Sequence, residues 1–544
     1  MPLGGLGEVG KNMLAIEYDR QILVIDAGLM FPESHMLGVD IVIPDFEYLM
    51  ERRDQVQAII LTHGHEDHIG ALGYLIEQIN APIYATQLTH GLAEIKLRRH
   101  HVFGQVTCHT IRDGDQLSIG AFDIEFFGVT HSIPDGIGLA VDTPVGLIVH
   151  SGDYKFDYTP VDGQPTDFAR LASFGGRGVL ALLADSTNSE SPGFTPSEQV
   201  VGQAFSEVFR DAEGRIIVGT FASLISRIQQ VMHCAQQHGR KVAIAGRTMV
   251  ENVSMARKLG YIDIPPGVLI SVEESLRLAP HQVVILATGT QGEPTATLVR
   301  MATERHRHVR VQEGDTVILS AQIIPGNEEM VHRTINRLYQ RGAHVVYDRI
   351  APVHVSGHAS QEEQKLLINL IRPKYLVPIH GELRHLHAHA KLAHDLGMPR
   401  ENVLVVENGR ILEFAPGQAC VGDRIPGGYV FVDGTGVGDV GPALLRERDQ
   451  LARDGFVIVV IPLTRDYHLG APPQIITRGF IFQPQAEDLL SDISELTMHV
   501  LDRHPPTPDS DLEGDLCRQI EDLVYRETRR RPIVIPVLTR SYFS

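Results

Sequence analysis

The sequence predicts an α/β protein built as a layered α/β body, a second α/β unit inserted into that body, and a small α+β appendage. Three observations predict it. Up to about Glu190, short apolar runs end in loops rich in His and Asp, as strands do when they deliver side chains to a site at their ends. From about Thr195 to Ala343, longer helices alternate with continuous apolar runs, the pattern of buried parallel strands joined by crossover helices. After Pro352 the style of the first segment returns in HVSGHAS and KYLVPIH, so the middle unit reads as an insertion into the first.

The elements follow in order. Gln21–Ala27 (QILVIDA) and Gln57–Leu61 (QAIIL) read as strands, Ala71–Asn80 as a helix and Ile83–Ala85 as a strand. Phe122–Val129, Gly146–His150 and Val179–Ala184 continue the strand pattern. In the middle unit Arg215–Gly219, Lys241–Ala245, Gln282–Ala287 and Asp315–Leu319 are strand-like, and Ile225–His238, Val250–Leu259 and Glu328–Arg341 are helical. Val421–Gly441 is rich in Gly and Asp and reads as turns and a linker. Beyond it, strands at Phe456–Leu463 and Pro532–Leu538 bracket helices at Gln485–Asp502 and Leu512–Arg530, which a polar HPPTPDSD loop from His504 to Asp511 connects.

At roughly 150 residues per domain, 544 residues predict three to four domains. With 43% hydrophobic and 21% charged residues the chain can bury several cores, which excludes disorder as its main state. No run approaches the ~18 apolar residues of a membrane-spanning helix, and MPLGGLGEVGKN lacks the basic and apolar regions of a secretory signal. The 4 cysteines lie far apart with no CxxC pair, which disfavours a disulfide framework or a thiolate zinc site and favours a reducing compartment. A net charge of −19 argues against non-specific nucleic-acid binding by the whole surface but allows a local basic groove. The basic clusters at Lys96–His101, Arg305–Arg310 and Arg526–Arg531 read first as solvated helix ends.

Chemistry enters with the 27 histidines. After QAIILT comes His63-Gly64-His65-Glu66-Asp67-His68: His63 and His65 project to one side of an extended loop, and Asp67 and His68 reach a second ion beside the first. Mixed imidazole and carboxylate ligation suits Zn²⁺ or Mn²⁺. His131, Asp153 and His380 each follow a strand; singly each reads as a cap, together they supply what the loop lacks. His131 completes one ion's ligands, His380 closes the other's, and the two oxygens of Asp153 bridge a pair about 3.5–4 Å apart. Such a centre activates water and offsets charge on an electrophile, so the motif predicts a hydrolase and leaves the substrate open.

THGHEDHIGAL, GVTHSIPDG and HSGDYKFD resemble the metallo-β-lactamase superfamily. ADSTN around Asp185, HVSGHAS around His358 and VPIHGE around His380 resemble the three motifs of its β-CASP nuclease branch, and FASLISRIQQ, ATGTQGEP, PGNEEMVHRTINRLYQRGA and GFIF narrow the resemblance to bacterial ribonuclease J. It implies a metallo-β-lactamase αββα sandwich over 1–194 and, with a linker, 351–440; an inserted β-CASP domain over 195–350; and a C-terminal α+β domain over 451–544. It implies two divalent ions per subunit on His63, His65, Asp67, His68, His131, Asp153 and His380, and a cytoplasmic homodimer or homotetramer without membrane contact. The implied activity is 5′-to-3′ exonucleolytic digestion of single-stranded RNA from a 5′-monophosphate, with endonucleolytic cuts, in mRNA decay and ribosomal RNA maturation.

The resemblance makes His358 the proton donor to the leaving 3′ oxygen, Asp185 its orienting partner and Asp67 part of the catalytic set. An alkoxide leaving group does need a donor titrating near neutrality, and a carboxylate fixes an imidazole and raises its pKa. Ser223, Leu224 and Ile225, with His354, Val355, Ser356, Gly357 and His358, match stretches that contact the nucleotide; small residues there let a phosphate reach the main chain. One departure stands out: the family commonly has Asn and His where this chain has Leu224 and Ser226. Asp40 and Asp433 match a structural Ca²⁺ site of some members. A small-molecule metallohydrolase of thioesterase or lactamase type, or a silent RNA-binding subunit of a decay complex, are the rival readings; the Asp185 and His358 motifs disfavour the first and the complete ligand set the second.

Overall fold

The computed structural model describes residues 1–416, 418–464, 468–481, 487–503 and 511–540, so the polar loop expected from His504 lies outside the described residues except for Asp511. The chain divides into two compact units, one formed by Met1–Glu33 and Ile41–Val430 and the other by Ser34–Asp40 and Phe431–Ser544.

The first unit contains two mixed six-stranded sheets. One runs Pro2–Gly4, Met13–Tyr18, Gln21–Ile25, Val56–Leu61, Ile83–Ala85, Cys108–Thr110; the other runs Tyr375–Ile379, Val179–Asp185, Gly146–His150, Ile137–Thr143, Phe122–Gly128, Gln116–Ile119. They pack face to face because alternate residues of each strand point inward. Leu23, Ile25, Ala58 and Ile60 of the first share one core with Ile124, Leu139, Val141, Ile148 and Leu183 of the second. The intervening residues Ala140, Val149, Leu182 and Leu376 face the other way, onto helices Phe168–Arg177 and Gln361–Ile371 through Leu171, Phe174, Leu367 and Ile371. Strands apolar on both faces read as continuous runs for this reason.

Val179–Asp185 and Tyr375–Ile379 pair in parallel, Asp185 opposite Ile379, although a whole third sheet lies between them in the chain. That sheet is entirely parallel, in the order Leu269–Ile270, Lys241–Ala245, Val283–Ala287, Ile216–Gly219, Thr316–Leu319, His344–Val346. Helix Ile225–Gln237 carries Arg227, which is fully buried and grips Glu198 through two bonds of 2.8 Å. Arg227→Ala leaves that carboxylate buried and unpaired and is expected to cost about 3–5 kcal/mol, read as a lower urea midpoint; an unchanged midpoint contradicts it.

The second unit packs helices Glu487–Arg503 and Leu512–Thr528 on a three-stranded sheet of Gln474–Arg478, Phe456–Leu463 and Ile533–Arg540. Val457, Val459, Ile461 and Leu463, at alternate positions, meet Ile493, Leu516 and Ile520 of the helices. Where turns and a linker were expected at Val421–Gly441, strands Gln418–Arg424, Tyr429–Asp433 and Gly436–Val437 occur. Gln418–Arg424 is an exposed strand held by its ladder with Arg410–Ala415, so no apolar pattern announces it. Among the described residues no helix is long and apolar enough to cross a membrane.

Candidate metal centre

Strand ends from both sheets of the sandwich deliver the polar groups. His63 follows Val56–Leu61, Asp153 follows Gly146–His150, Asp185 ends Val179–Asp185 and His380 follows Tyr375–Ile379. His380 adopts a left-handed backbone, φ 54°, a strained conformation that an ordinary turn does not require of a histidine.

Among the described residues two groups of candidate ligands lie side by side, His63, His65 and His131, and Asp67, His68, Asp153 and His380, and a third, Asp153, Asp185, His358 and His380, overlaps the second. His65 Nδ1 lies 3.0 Å from His63 Nε2 and 3.1 Å from His131 Nε2. Asp153 Oδ2 lies 3.1 Å from His68 Nε2, and 3.7 and 3.8 Å from the Nε2 atoms of His63 and His131, so it stands between the groups. Asp67 Oδ2 lies 3.4 Å from His380 Nε2 and 3.6 Å from His68 Nε2. Ligands bound at about 2.1 Å around one tetrahedral ion sit roughly 3.4 Å apart, so this donor set fits divalent metal.

The protonation states agree. Burial holds His63 and His131 well below the ordinary imidazole range and takes His65 to about 4, so these rings keep the lone pairs a metal requires. At His68 and His380 burial also pulls down, but the carboxylates, Asp153 foremost, outweigh it; His68 is raised well above the ordinary value and His380 to about 10. A proton on each of these two rings and a divalent cation are alternative ways of offsetting Asp67 and Asp153.

Outer contacts aim the rings. His68 Nδ1 meets Asp26 Oδ2 at 2.7 Å, and Asp26 also accepts from the Thr62 N–H and hydroxyl at 2.7 and 2.8 Å. The His131 Nδ1–H donates to the Gly357 carbonyl at 2.7 Å. Both leave Nε2 facing the site, the usual arrangement of a ligating histidine. The sequence reading missed Asp26; its signal was an acid closing the apolar run QILVIDA.

Beside the cluster, His358 Nδ1 meets Asp185 Oδ2 at 2.7 Å. Burial lowers the His358 pKa, but the Asp185 carboxylate outweighs it and the net shift is upward. A cavity of about 1160 Å³ opens over His65, Asp67, His131, Asp153, His358 and His380, and Ser223, Leu224, His354, Ser356 and Gly357 also line it. Ile225 and Val355 are buried and, with Ser226, lie outside its wall. The Arg227 Nη1–H donates to His354 Nδ1 at 2.7 Å; because a guanidinium only donates, Nε2 carries the ring's proton. That Nε2 is buried without a partner.

Lys96, Arg99 and His100 also stand in this wall, paired with Glu66, Glu251 and Glu77. Asp40 and Asp433 come close in the second unit: Asp40 Oδ2 accepts from Gly434 N–H at 2.8 Å, while Asp433 Oδ2 is held by Arg448 at 2.5 Å. The positive charge at that place is the guanidinium's.

Family comparisons agree with this geometry. Residues 6–165 match the metallo-β-lactamase superfamily, 213–338 the ribonuclease J β-CASP domain, 343–406 the Zn-dependent metallo-hydrolase RNA specificity domain, and 443–541 the ribonuclease J C-terminal domain. Ribonuclease J2 of Bacillus subtilis is 43% identical over 98% of this chain and 97% of its own length. Ribonuclease J 1 of Streptococcus pyogenes is 42% identical over 98% and 96%, and ribonuclease J of Synechocystis 40% over 99% and 86%. A crystal structure of a protein of unknown function from Enterococcus faecalis shares the fold at a TM-score of 0.51 and 17% identity, covering 77% of this chain and 98% of that one. With its motifs, its sandwich and inserted parallel sheet, and near full-length identity to named relatives, the chain belongs to the ribonuclease J family of the metallo-β-lactamase superfamily.

Proposed function

We propose that this metal-dependent ribonuclease digests single-stranded RNA 5′ to 3′ from 5′-monophosphate ends, cuts internally as well, and serves mRNA decay and ribosomal RNA maturation. His63, His65 and His131 would hold one Zn²⁺ or Mn²⁺ ion and Asp67, His68 and His380 the other, with Asp153 between them. Bound metal would supply water activation and charge stabilisation at phosphorus. The chain's own groups do the rest. His358, kept protonated by Asp185, donates a proton to the departing 3′ oxygen. The His354 Nε2–H, the Ser223 and Ser356 hydroxyls and the main chain at Gly357 bind the terminal 5′-phosphate and set the register of cutting.

The observation that carries this reading is the Asp185–His358 pair beside two ligand groups joined at Asp153. The four cysteines are free thiols, which suits the cytoplasm. The sheet face of the C-terminal unit, with Ile476 and Ile535 exposed, suits assembly as a homodimer or homotetramer. The test digests one RNA bearing a 5′-monophosphate, triphosphate or hydroxyl and follows product sizes over time. Mononucleotides released fastest from the monophosphate are expected; internal fragments alone, indifferent to the 5′ group, contradict the proposal.

A further inference from the structure

Part of the cavity wall comes from loops at the carboxyl ends of the inserted unit's parallel strands, Val283–Ala287 and Thr316–Leu319 among them. Crevices outside the carboxyl ends of parallel strands are where open α/β sheets bind ligands. Two of these loops are locked together by Gln291, which is 1% exposed. Its amide N–H donates to the Gln322 carbonyl at 2.7 Å, and its Oε1 accepts from the Ile324 N–H at 2.8 Å. The lock fixes the positions of Thr290 and Glu293, both of which line the cavity.

Each presents a buried oxygen, Thr290 Oγ1 and Glu293 Oε2, with no hydrogen-bond partner. Burial pushes the Glu293 carboxyl above its ordinary value, and only its own backbone N–H pulls the other way. Buried polar atoms are nearly always satisfied, so two unpartnered oxygens on residues of one cavity wall, three apart in one loop, point to a ligand there. A carboxylate repels the phosphates of a polyanion, so what meets it is a neutral N–H or O–H donor. A ribose hydroxyl can donate and accept only through one oxygen, whereas a base edge offers a donor and an acceptor on two adjacent atoms, one for Glu293 and one for Thr290. Adenine and cytosine carry an amino group beside an unprotonated ring nitrogen, whereas uracil sets a carbonyl oxygen where the amine would be.

We propose that Thr290 and Glu293 form a base-reading subsite of the RNA cavity, which takes an adenine or cytosine whose amino group donates to Glu293 while the adjacent ring nitrogen accepts from Thr290. The subsite rests on the RNA-hydrolase reading above, which gives these residues no role.

The test uses the full chain and 5′-monophosphorylated oligouridines carrying one adenosine or cytidine, moved through successive positions. At one position wild type is expected to favour adenosine or cytidine over uridine in kcat/KM by about tenfold. Glu293→Gln and Thr290→Val should each reduce that preference to about threefold or less; the valine variant carries the test if the glutamine variant fails to fold. A flat wild-type profile overturns the subsite, and so does a Glu293→Gln gain equal on every RNA, which marks simple charge repulsion. A preference that follows the 2′-hydroxyl when single 2′-deoxynucleotides are placed there marks ribose reading and also overturns it. Wild type that cleaves these RNAs without base preference removes the subsite alone; wild type that cleaves none removes the hydrolase reading with it.

Discussion

Asp153→Asn is expected to lower RNA cleavage by on the order of 10⁴ and to reduce bound metal. Asp153 is 4% exposed, and its Oδ2 lies within 3.8 Å of ring nitrogens from His63, His68 and His131. Its other oxygen meets His380 Nδ1 at 2.8 Å. An amide keeps the shape but removes the negative charge and turns one acceptor into a donor aimed at electron-poor neighbours. On the proposed reading, two ions that would each contribute several kcal/mol at phosphorus would lose the carboxylate between them, and about 5.5 kcal/mol corresponds to four decades of rate. Asp26→Asn is the contrast. It acts at one remove, through His68 and through the Thr62 hydroxyl that meets His63 Nδ1 at 3.0 Å, so a loss of about 10–100-fold is expected. Single-turnover cleavage of labelled RNA with elemental analysis of each variant checks both. An Asp153→Asn protein with full metal content and full activity contradicts the placement of this carboxylate.

What the sequence disclosed divides along the range of the interactions. The HxHxDH loop compresses four of the candidate ligands into six residues, so its meaning was local and visible. Strands buried on both faces, such as Gly146–His150 and Val179–Asp185, were visible for the same reason. Ile137–Thr143 was not: it lies in the middle of the second sheet, but SIPDG before it and Gly138 within it read as turn chemistry. Gly138 is tolerated because Phe127 packs where a side chain would stand. Groups that act through distant partners were invisible. Asp26 aims a histidine 42 residues away, and Arg227 orients a ring 127 residues away, across the insertion. Nothing in FASLISR states that its arginine is buried against Glu198 and fixes the tautomer of His354. The Lys96 cluster fails differently: its charge was plain, but its position in the cavity wall and its carboxylate partners depend on how helix Gln87–Arg99 meets its neighbours.

The insertion also explains why the proposed proton donor and the candidate metal ligands need one another to be placed. His358 follows the inserted unit in the chain, while Asp185 precedes it; Val179–Asp185 pairs in register with Tyr375–Ile379, and the Thr195 hydroxyl, donating to the His358 carbonyl at 2.7 Å, helps hold the His358 loop against Asp185. The His131 Nδ1–H bond to Gly357 ties a candidate ligand to the same HVSGHAS loop. The proposed binding, ligation and proton donation would therefore all depend on one small stretch of backbone, and a shift there would disturb all three.

His358→Ala is expected to lower kcat by about 10²–10⁴ while RNA binding stays within a few fold, because general acid catalysis stabilises the departing oxygen and not the bound ground state. Asp185→Asn should give a smaller loss, since the ring remains but its orienting carboxylate, 2.7 Å away, becomes neutral. A structural defect would produce the same fall in kcat, so the decisive measurement changes the leaving group. An RNA with sulfur in place of the bridging 3′ oxygen releases a thiolate, which departs without a proton. His358→Ala should cleave that RNA at close to the wild-type rate while remaining slow on ordinary RNA. Equal losses on the two RNAs mean that the imidazole holds the loop between Gly357 and Ser360 in place and donates nothing, and the catalytic role of His358 is then gone.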